Sequence, residues 1–375
     1  MPHIPEPDED GLDAIPPPHV VLYVEQALLG ALLLEPQRLR DVAGIGPEAF
    51  STAAHAALFA AIRSLPAPDP AEHAKNAKWL EAVLDAAREH ARGLTASYLH
   101  SLIQACPWPR HTPAYARMVE ADHARRALRA HAQRLAHTAT DRTLPQPVDT
   151  TLAEADTLTS LVDDIAARLP PHSSLLPRTP ATVPTTAPDY AKEAIDEERL
   201  LLATATAHPG DVEQMRWLAA EDFARPLHAG LWQCLTTLTR RRAPVDPVTV
   251  LWEAQQRGLL SSGADPTELL ALLAEPVGDP QYWGERILQR SVLSTAHHVA
   301  CRIRAYTDAP ATTPHQLVTG SRRALADLSA VRTRWHHATS PTPLARPAPA
   351  KARGTAPSRA SPPRTTAPPT TRISR

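Results

Sequence analysis

Apolar positions along the chain repeat with helical spacing, and one such stretch occurs twice. Between residues 50 and 65 the apolar side chains step by three and four positions, which is the pattern of one face of an α-helix. The pattern returns between residues 223 and 238 at a constant offset of 173 positions (223 − 50). The matching residues are Phe50, His55, Leu58, Phe59, Ile62 and Leu65 in the first stretch and Phe223, His228, Leu231, Trp232, Leu235 and Leu238 in the second. The chain therefore contains one helical unit in two copies, copy 1 and copy 2.

Each copy is predicted to form a small helical bundle followed by a long helical hairpin. In copy 1 a dense apolar helix begins at Val20, and residues 114–137 and 148–168 form the two long arms of the hairpin. Residues 282–306 and 315–335 repeat these arms in copy 2. At ~1.5 Å per residue an arm is about 30 Å long, and we expect an isolated pair of such arms to leave apolar surface for a partner.

The fold class predicted from these patterns is all-α. It comprises two tandem helical bundles, each followed by a long helical hairpin, with disordered N- and C-terminal tails. Proline should lie outside the helices, because proline in a helix interior costs about 3 kcal/mol, and most of the 40 prolines do. The predicted segments are an acidic tail at 1–19, copy 1 at 20–168, a Pro/Thr-rich linker at 169–190, copy 2 at 191–336 and a basic Pro-rich tail at 337–375.

Charge is unevenly spread along the chain, since each end carries charge of one sign, although the net charge is −1. Residues 1–18 carry five acidic side chains and no Lys or Arg. Residues 338–375 carry no acidic side chain and seven basic ones, which are Arg346, Lys351, Arg353, Arg359, Arg364, Arg372 and Arg375. Such a tail either binds nucleic acid, with a log–log salt slope of about −6 if all its charges meet phosphates, or only keeps the chain end solvated. The wide spacing of the charges favours the second interpretation.

The sequence lacks the motifs of several enzyme and cofactor classes. A nucleotide-binding Walker loop requires Gly-Lys followed by Ser or Thr, and none of the four lysines follows a glycine. Cys106, Cys234 and Cys301 have neither disulfide nor metal-ligand spacing, and the histidines form no zinc motif. No secretory signal is recognisable, and no apolar run approaches the ~18 residues of a membrane span. We therefore predict a cytoplasmic, non-enzymatic chain with no cofactor, no metal and no membrane contact.

His55 and His228 occupy equivalent positions and are either general bases or structural side chains. A catalytic histidine needs a polar partner, and no Ser, Cys or carboxylate stands out at a fixed offset beside both. We interpret both as half-buried histidines that bond a neighbouring backbone carbonyl. Glu25 and Glu198 also recur, and the helix macrodipole explains a carboxylate near the start of a helix. Trp252 sits among aliphatic residues at helical spacing and is predicted to face the core.

Several short motifs occur in the same order in both halves and resemble the N-terminal domain of DnaB-type replicative DNA helicases. In copy 1 they are Glu25-Gln26, Leu28-Leu29-Gly30-Ala31-Leu32-Leu33, Phe50, His55, Leu58-Phe59 and Tyr115-Ala116-Arg117-Met118-Val119. In copy 2 they are Glu198, Asp222-Phe223, His228, Leu231-Trp232, Pro244-Val245-Asp246, Val248-Thr249, Arg257-Gly258-Leu259 and Arg286-Ile287-Leu288. The resemblance covers about residues 20–168 and 193–335.

The resemblance implies a function in replication. In that family the domain is a helical bundle with a long hairpin, and hairpins pair to build a collar that meets the primase and loader proteins. It implies an interaction protein whose partners are the replicative helicase, primase or a loader, or a second copy of itself. The motor domain has no counterpart in the sequence, so a motor-less helicase subunit is one alternative. A DNA-associated accessory factor that binds nucleic acid through the basic C-terminal tail is the other.

Two copies in one chain suggest the hypothesis that the hairpins pair within the chain. Aromatic and apolar residues near the starts of the long arms are candidates for a partner interface, since such residues often anchor protein interfaces. These candidates are Trp108, Tyr115, Met118, Trp283 and Ile287.

Overall fold

The computed structural model describes residues 19–169 and 192–340. Every regular element in these two ranges is helical, which confirms the predicted all-α class. The predicted tails, with the seven basic residues, and the predicted linker lie outside the described residues except at their edges. The last helix ends at Thr339, so residues 337–339 are helical although the sequence assigned them to the tail.

The longer helices follow one another in the same order in both copies, whereas a four-residue helix follows the second core helix in copy 1 and precedes it in copy 2. In copy 1 they are α1 (Val20–Leu34), α2 (Ala53–Ser64), α3 (Pro70–His73), α4 (Lys78–Arg88), α5 (Ala96–Ala105), α6 (Thr112–Thr140) and α7 (Pro147–Arg168). In copy 2 they are α8 (Lys192–Ala207), α9 (Pro209–Val212), α10 (Pro226–Arg240), α11 (Pro247–Gln256), α12 (Pro266–Ala274), α13 (Pro280–Asp308) and α14 (Pro314–Thr339). Short 3₁₀ turns at Pro36–Val42, Pro47–Ala49, Pro109–His111, Ala220–Asp222 and Leu259–Ser262 complete the described structure.

Side-chain caps fix where several helices begin and end. The Asp246 side chain accepts hydrogen bonds from the backbone N–H groups of Val248 and Thr249, and Pro247 follows at the first helical position, where its missing N–H leaves no bond unmade. Asp69 caps α3 in the same way. Gly258 follows α11 with φ 74°, a left-handed conformation that glycine adopts without steric penalty.

The helical bundles, head 1 (residues 19–111) and head 2 (residues 192–279), are built around two central helices. In head 1, α1 contributes a fully buried apolar face that packs with Leu58 and Phe59 of α2. In head 2, α8 packs in the same manner with Leu231 and Trp232 of α10. Burial of these aliphatic and aromatic side chains supplies the main stabilising free energy of each head.

The long arms, hairpin 1 (α6 and α7) and hairpin 2 (α13 and α14), pack against each other as a four-helix bundle. Their facing sides form one apolar core, whose fully buried members include Leu128, Leu135, Leu158, Val292 and Ala296. This core is continuous with that of head 2, whereas head 1 has a separate core. The apolar surface that the sequence left for a partner is therefore covered by the other half of the same chain.

Ion pairs show that the two hairpins run in opposite directions. Asp163 of α7 accepts from Arg322 of α14 at 2.7 Å, and Asp156 accepts from Arg332 with an Nη2–Oδ2 distance of 3.0 Å. Because residue numbers rise along α7 as they fall along α14, these two helices are antiparallel. The hypothesis of hairpin pairing inside one chain agrees with this arrangement.

Candidate functional site

A carboxylate and a histidine are buried together at the centre of head 1. The side chains of Glu25 and His55 are 0% and 2% exposed, and Glu25 Oε2 lies 2.6 Å from His55 Nδ1. Glu25 also accepts from the backbone N–H of Ser51 at 2.6 Å and from its hydroxyl at 3.0 Å. The Tyr98 hydroxyl lies 2.8 Å from His55 Nε2. Burial raises the pKa of the Tyr98 hydroxyl. The carboxylate thus joins α1, the segment before α2, and α2 itself.

Head 2 contains the same pair with different neighbours. Glu198 Oε2 lies 2.8 Å from His228 Nδ1, and Oε1 accepts from the backbone N–H of Ala224 at 2.6 Å. Ala224 corresponds to Ser51 at the offset of 173. Arg290 of α13 donates to Glu198 Oε1 at 3.2 Å and to Glu197 Oε2 at 2.6 Å. In copy 2 the buried carboxylate therefore also ties the head to its hairpin.

These contacts correct two interpretations made from the sequence. His55 and His228 are fully buried rather than half-buried, and each bonds a carboxylate instead of a backbone carbonyl. Glu25 and Glu198 are the partners of the histidines, so the helix macrodipole is not the reason for their positions. The sequence signal for this pairing was that glutamate and histidine are 30 residues apart in both copies. Because both members are shielded from solvent, the pair is suited to holding the head together and not to acting on a substrate.

Arg125 joins the two hairpins at the turn between α13 and α14. Its guanidinium donates to the backbone carbonyls of Thr307 at 3.0 Å, Ala309 at 2.8 Å and Thr312 at 2.5 Å. Burial lowers the pKa of this guanidinium. The neighbouring Arg129 forms an ion pair with Asp308 at 2.7 Å. One side chain of hairpin 1 therefore satisfies three backbone acceptors at the tip of hairpin 2.

The five interface candidates from the sequence occupy different environments. Trp108 and Met118 are 56% and 52% exposed. Tyr115 is part-buried against the core of head 1, and Trp283 is part-buried with its indole N–H donating to the Val277 carbonyl at 2.7 Å. Ile287 is fully buried and offers no surface to a partner, which corrects its assignment to an interface.

Among the other exposed apolar side chains, which the sequence interpretation missed, two lie together on α11. Val248 and Trp252 are 66% and 62% exposed and lie four residues apart on α11, so they share one face of that helix. The prediction that Trp252 faces the core is therefore wrong. Val250 and Ala254 are fully buried and form the face of α11 that packs on the core. Val248 and Trp252 lie on the opposite face, and their four-residue spacing was the sequence signal for this exposed pair.

Among the described residues, no group of three or more His, Cys, Asp or Glu side chains is arranged to hold a metal ion. In the same ranges, no helix has both the length and the apolar character required to cross a membrane.

The fold and these contacts define a class of protein, a doubled helical head with paired hairpins. The chain belongs to the DnaB-like helicase N terminal domain family, which it matches over residues 17–121 and 190–282. The matched segments contain both heads and end early in α6 and α13, so most of each hairpin lies beyond them. Comparisons with curated proteins and with solved structures found no match.

Proposed function

We propose that this chain is a non-catalytic interaction protein of DNA replication, active in the cytoplasm, that contacts the replicative helicase, its primase or its loader. The observation that carries the proposal is the pairing of the two hairpins inside one chain. The family resemblance implies hairpin pairing between subunits of a collar. Here hairpin 1 pairs with hairpin 2 of the same chain through the Arg125 contacts and the shared apolar core. One chain therefore offers two heads in the arrangement that two subunits would otherwise supply.

Exposed aromatic and apolar side chains on the heads supply the surfaces that we assign to a partner. Trp108 on head 1 is exposed, with the Arg110 guanidinium 5.0 Å from its ring centroid. Val248 and Trp252 form an exposed apolar pair on head 2. Exposed tryptophans near arginine are typical anchors of protein interfaces, because they bury a large area at small entropic cost.

Light scattering after size exclusion tests the proposal. The chain alone should elute as a monomer of 40.7 kDa, because its hairpins already cover each other. Mixing it with helicase, primase or loader from the same cell should give a complex with one of them. Trp108→Ala and Trp252→Ala identify the head that makes the contact, and Gln255→Ala, at an exposed α11 position, is the matched control. A chain that binds none of the three proteins contradicts the proposal.

A further inference from the structure

An exposed patch lies where head 1 passes into the first long arm. We call it the junction patch, and its members, all exposed, are Trp108, Arg110, His111, Arg117 and Met118. Trp108 and Met118 are 56% and 52% exposed and give the patch an open apolar surface. The Arg110 guanidinium carbon lies 5.0 Å from the centroid of the Trp108 ring, which places a cation beside that surface.

The junction patch carries positive charge and no acidic side chain of its own. Residues 107–119, from the turn to the second turn of α6, contain Arg110 and Arg117 and no Asp or Glu, which gives a charge of +2. Arg117 donates its Nε–H to the Pro113 carbonyl at 3.2 Å, and neither arginine forms an ion pair with another described residue. The outer N–H groups of both guanidinium groups can therefore bind a carboxylate.

The acidic side chains that border the patch are engaged elsewhere. Helix α1 packs against the turn at Pro109–His111, and Glu35 at the end of α1 pairs with Arg38 at 2.5 Å. Glu120, the next acidic residue along α6, is turned toward Gly44, where a Cβ would lie 3.8 Å from its Oε1. These neighbours therefore supply no carboxylate to the arginines of the patch.

The corresponding turn in copy 2 has a similar apolar exposure and the opposite charge. Val277 and Tyr282 are 53% and 54% exposed there. Residues 276–288 match residues 107–119 at the offset of 169 and have a charge of −1 (1 − 2), from Arg286, Asp279 and Glu285. The two copies thus share an exposed apolar turn and differ in the sign of its charge. A ligand that is selected by charge at this turn should bind copy 1 if it is anionic.

The small number of charges favours a polypeptide over a nucleic acid as the anionic ligand. Two arginines on single-stranded nucleic acid give a log–log salt slope of only about −1.4 (−0.7 × 2), which is a weak attachment for a polyphosphate strand. Two arginines suffice, however, for one or two carboxylates of a peptide. The exposed Met118 adds apolar surface that an aliphatic side chain covers better than a phosphate backbone does.

We propose that the junction patch binds an acidic segment of a partner polypeptide. A carboxylate of the segment pairs with Arg110 or Arg117, and a neighbouring aliphatic side chain packs on Trp108 and Met118. The negative turn of copy 2 repels the same segment. This inference rests on the proposed function for the identity of the partner, and it adds the chemistry of the contacting segment and the head that receives it.

The test titrates the ¹⁵N-labelled full chain with two synthetic peptides and follows the binding by NMR. The acidic probe is the acetylated amide of Asp-Glu-Leu-Asp-Glu-Leu, and the neutral, nearly isosteric control is that of Asn-Gln-Leu-Asn-Gln-Leu. The acidic peptide should shift the resonances of residues 108–118 with a Kd of about 0.1–1 mM, and the control should bind about tenfold more weakly. High salt should reduce this difference. Equal binding of the two peptides, or shifts confined to other residues, overturns the proposal.

Charge reversal identifies the side chains that carry the binding. Arg110→Glu and Arg117→Glu should each weaken binding of the acidic peptide about tenfold, because a repulsive charge replaces an attractive one. Arg323→Glu, at an exposed position of α14, is the matched control and should leave the binding unchanged. Trp108→Ala should weaken both peptides, because it removes apolar surface. Acidic-peptide binding that survives both reversals in the patch contradicts the assignment.

Other occupants of the patch give different results, and each of these overturns the proposal. An oligothymidine of twelve nucleotides that binds at residues 108–118 more tightly than the acidic peptide assigns the patch to nucleic acid. Shifts there that grow with chain concentration alone assign it to a second copy, and shifts caused by deletion of residues 1–18 assign it to the acidic segment of the same chain.

The outcome for the proposed function is read separately. If the acidic peptide binds at the patch but helicase, primase and loader do not bind the chain, the proposed function fails and the junction patch remains an acidic-segment site. If one of these proteins binds the chain and the acidic peptide does not bind, only the present inference fails.

Discussion

The two heads keep one buried pair and differ in what surrounds it. In both Glu25–His55 and Glu198–His228 the two residues are 30 positions apart and fully buried. Each carboxylate also accepts a hydrogen bond from a backbone N–H group. In head 1 a neutral phenol, Tyr98, meets the other ring nitrogen, whereas in head 2 the cation Arg290 reaches the carboxylate from α13. The comparison teaches that the carboxylate is required to hold the segment before the second core helix, while its neighbours were free to change.

The largest expected effect is loss of that carboxylate. Glu25→Ala and Glu198→Ala should each lower the free energy of unfolding by about 3–5 kcal/mol, because they leave buried donors unpaired. Glu198→Ala should be the more damaging, since Arg290 also loses a counter-charge. Urea denaturation of each variant measures this. Asp196→Ala, at an exposed position of α8, is the control and should change stability little.

The order of these two losses sharpens the comparison. A Glu25→Ala loss greater than that of Glu198→Ala would show that the two Ser51 hydrogen bonds depend on the carboxylate more than the Arg290 contact does. An equal effect of the Asp196→Ala control would remove the buried pair from the explanation.

The hairpin tips give the next largest difference. Arg125 of hairpin 1 holds three carbonyls at the tip of hairpin 2, whereas the position aligned with it in α13, at an offset of 169 (286 − 117), is Ser294. Arg125→Ala should lower the free energy of unfolding by about 1.5–3 kcal/mol, because hydrogen bonds from a charged donor to part-buried acceptors are lost. Thermal unfolding provides the measurement. Arg129→Ala, which removes only an exposed ion pair, should lower it far less.

A single methyl group distinguishes the first core helices. A Cβ on Gly30 would lie 2.1 Å from the Leu102 carbonyl oxygen, whereas Ala203 at the aligned position of α8 is 1% exposed and fits. Gly30→Ala should therefore lower the free energy of unfolding by about 1–3 kcal/mol through overpacking against α5. Ala203→Gly should lower it by about 0.5–1 kcal/mol through backbone entropy alone. A stabilised Gly30→Ala variant in urea denaturation would contradict this account of the α1–α5 contact.

Much of the helical structure could be predicted from the sequence, because apolar periodicity and proline boundaries depend on neighbours in the chain. The proline boundaries, the Asp246 cap and the left-handed Gly258 are local features of this kind. Pairs across the fold were harder to predict. The Glu25–His55 contact depends on a side-chain approach between α1 and α2 that helical periodicity does not reveal.

Exposure was the other weak point of sequence interpretation. Trp252 and Ile287 were assigned to the wrong environments, because periodicity marks an apolar face but does not say which neighbour covers it. Ile287 is covered by the core that both halves build, and Trp252 lies on a short helix whose other face is already filled by Val250 and Ala254. Such coverage depends on how the elements pack together.

The smallest expected effect concerns the charges that face each other along α7 and α14. The α7 sequence carries five acidic residues and one Arg, and the α14 sequence carries four Arg and one Asp, so the two helices have charges of −4 and +3. Pairing α7 with α14 therefore brings opposite charges together, whereas pairing two α7 helices from different chains would bring like charges together.

Asp156 and Arg332 isolate one contact of this kind. Their side chains are 55% and 35% exposed, so the pair should contribute only about 0.2–1 kcal/mol, and less in high salt. Asp156→Arg should lower the free energy of unfolding by this amount, and the exchange variant with Arg332→Asp should recover most of it. A double-mutant cycle in low and high salt measures the coupling. Full additivity of the two substitutions would show that the Asp156–Arg332 ion pair contributes nothing to the pairing of α7 with α14 and does not help to select the partner helix.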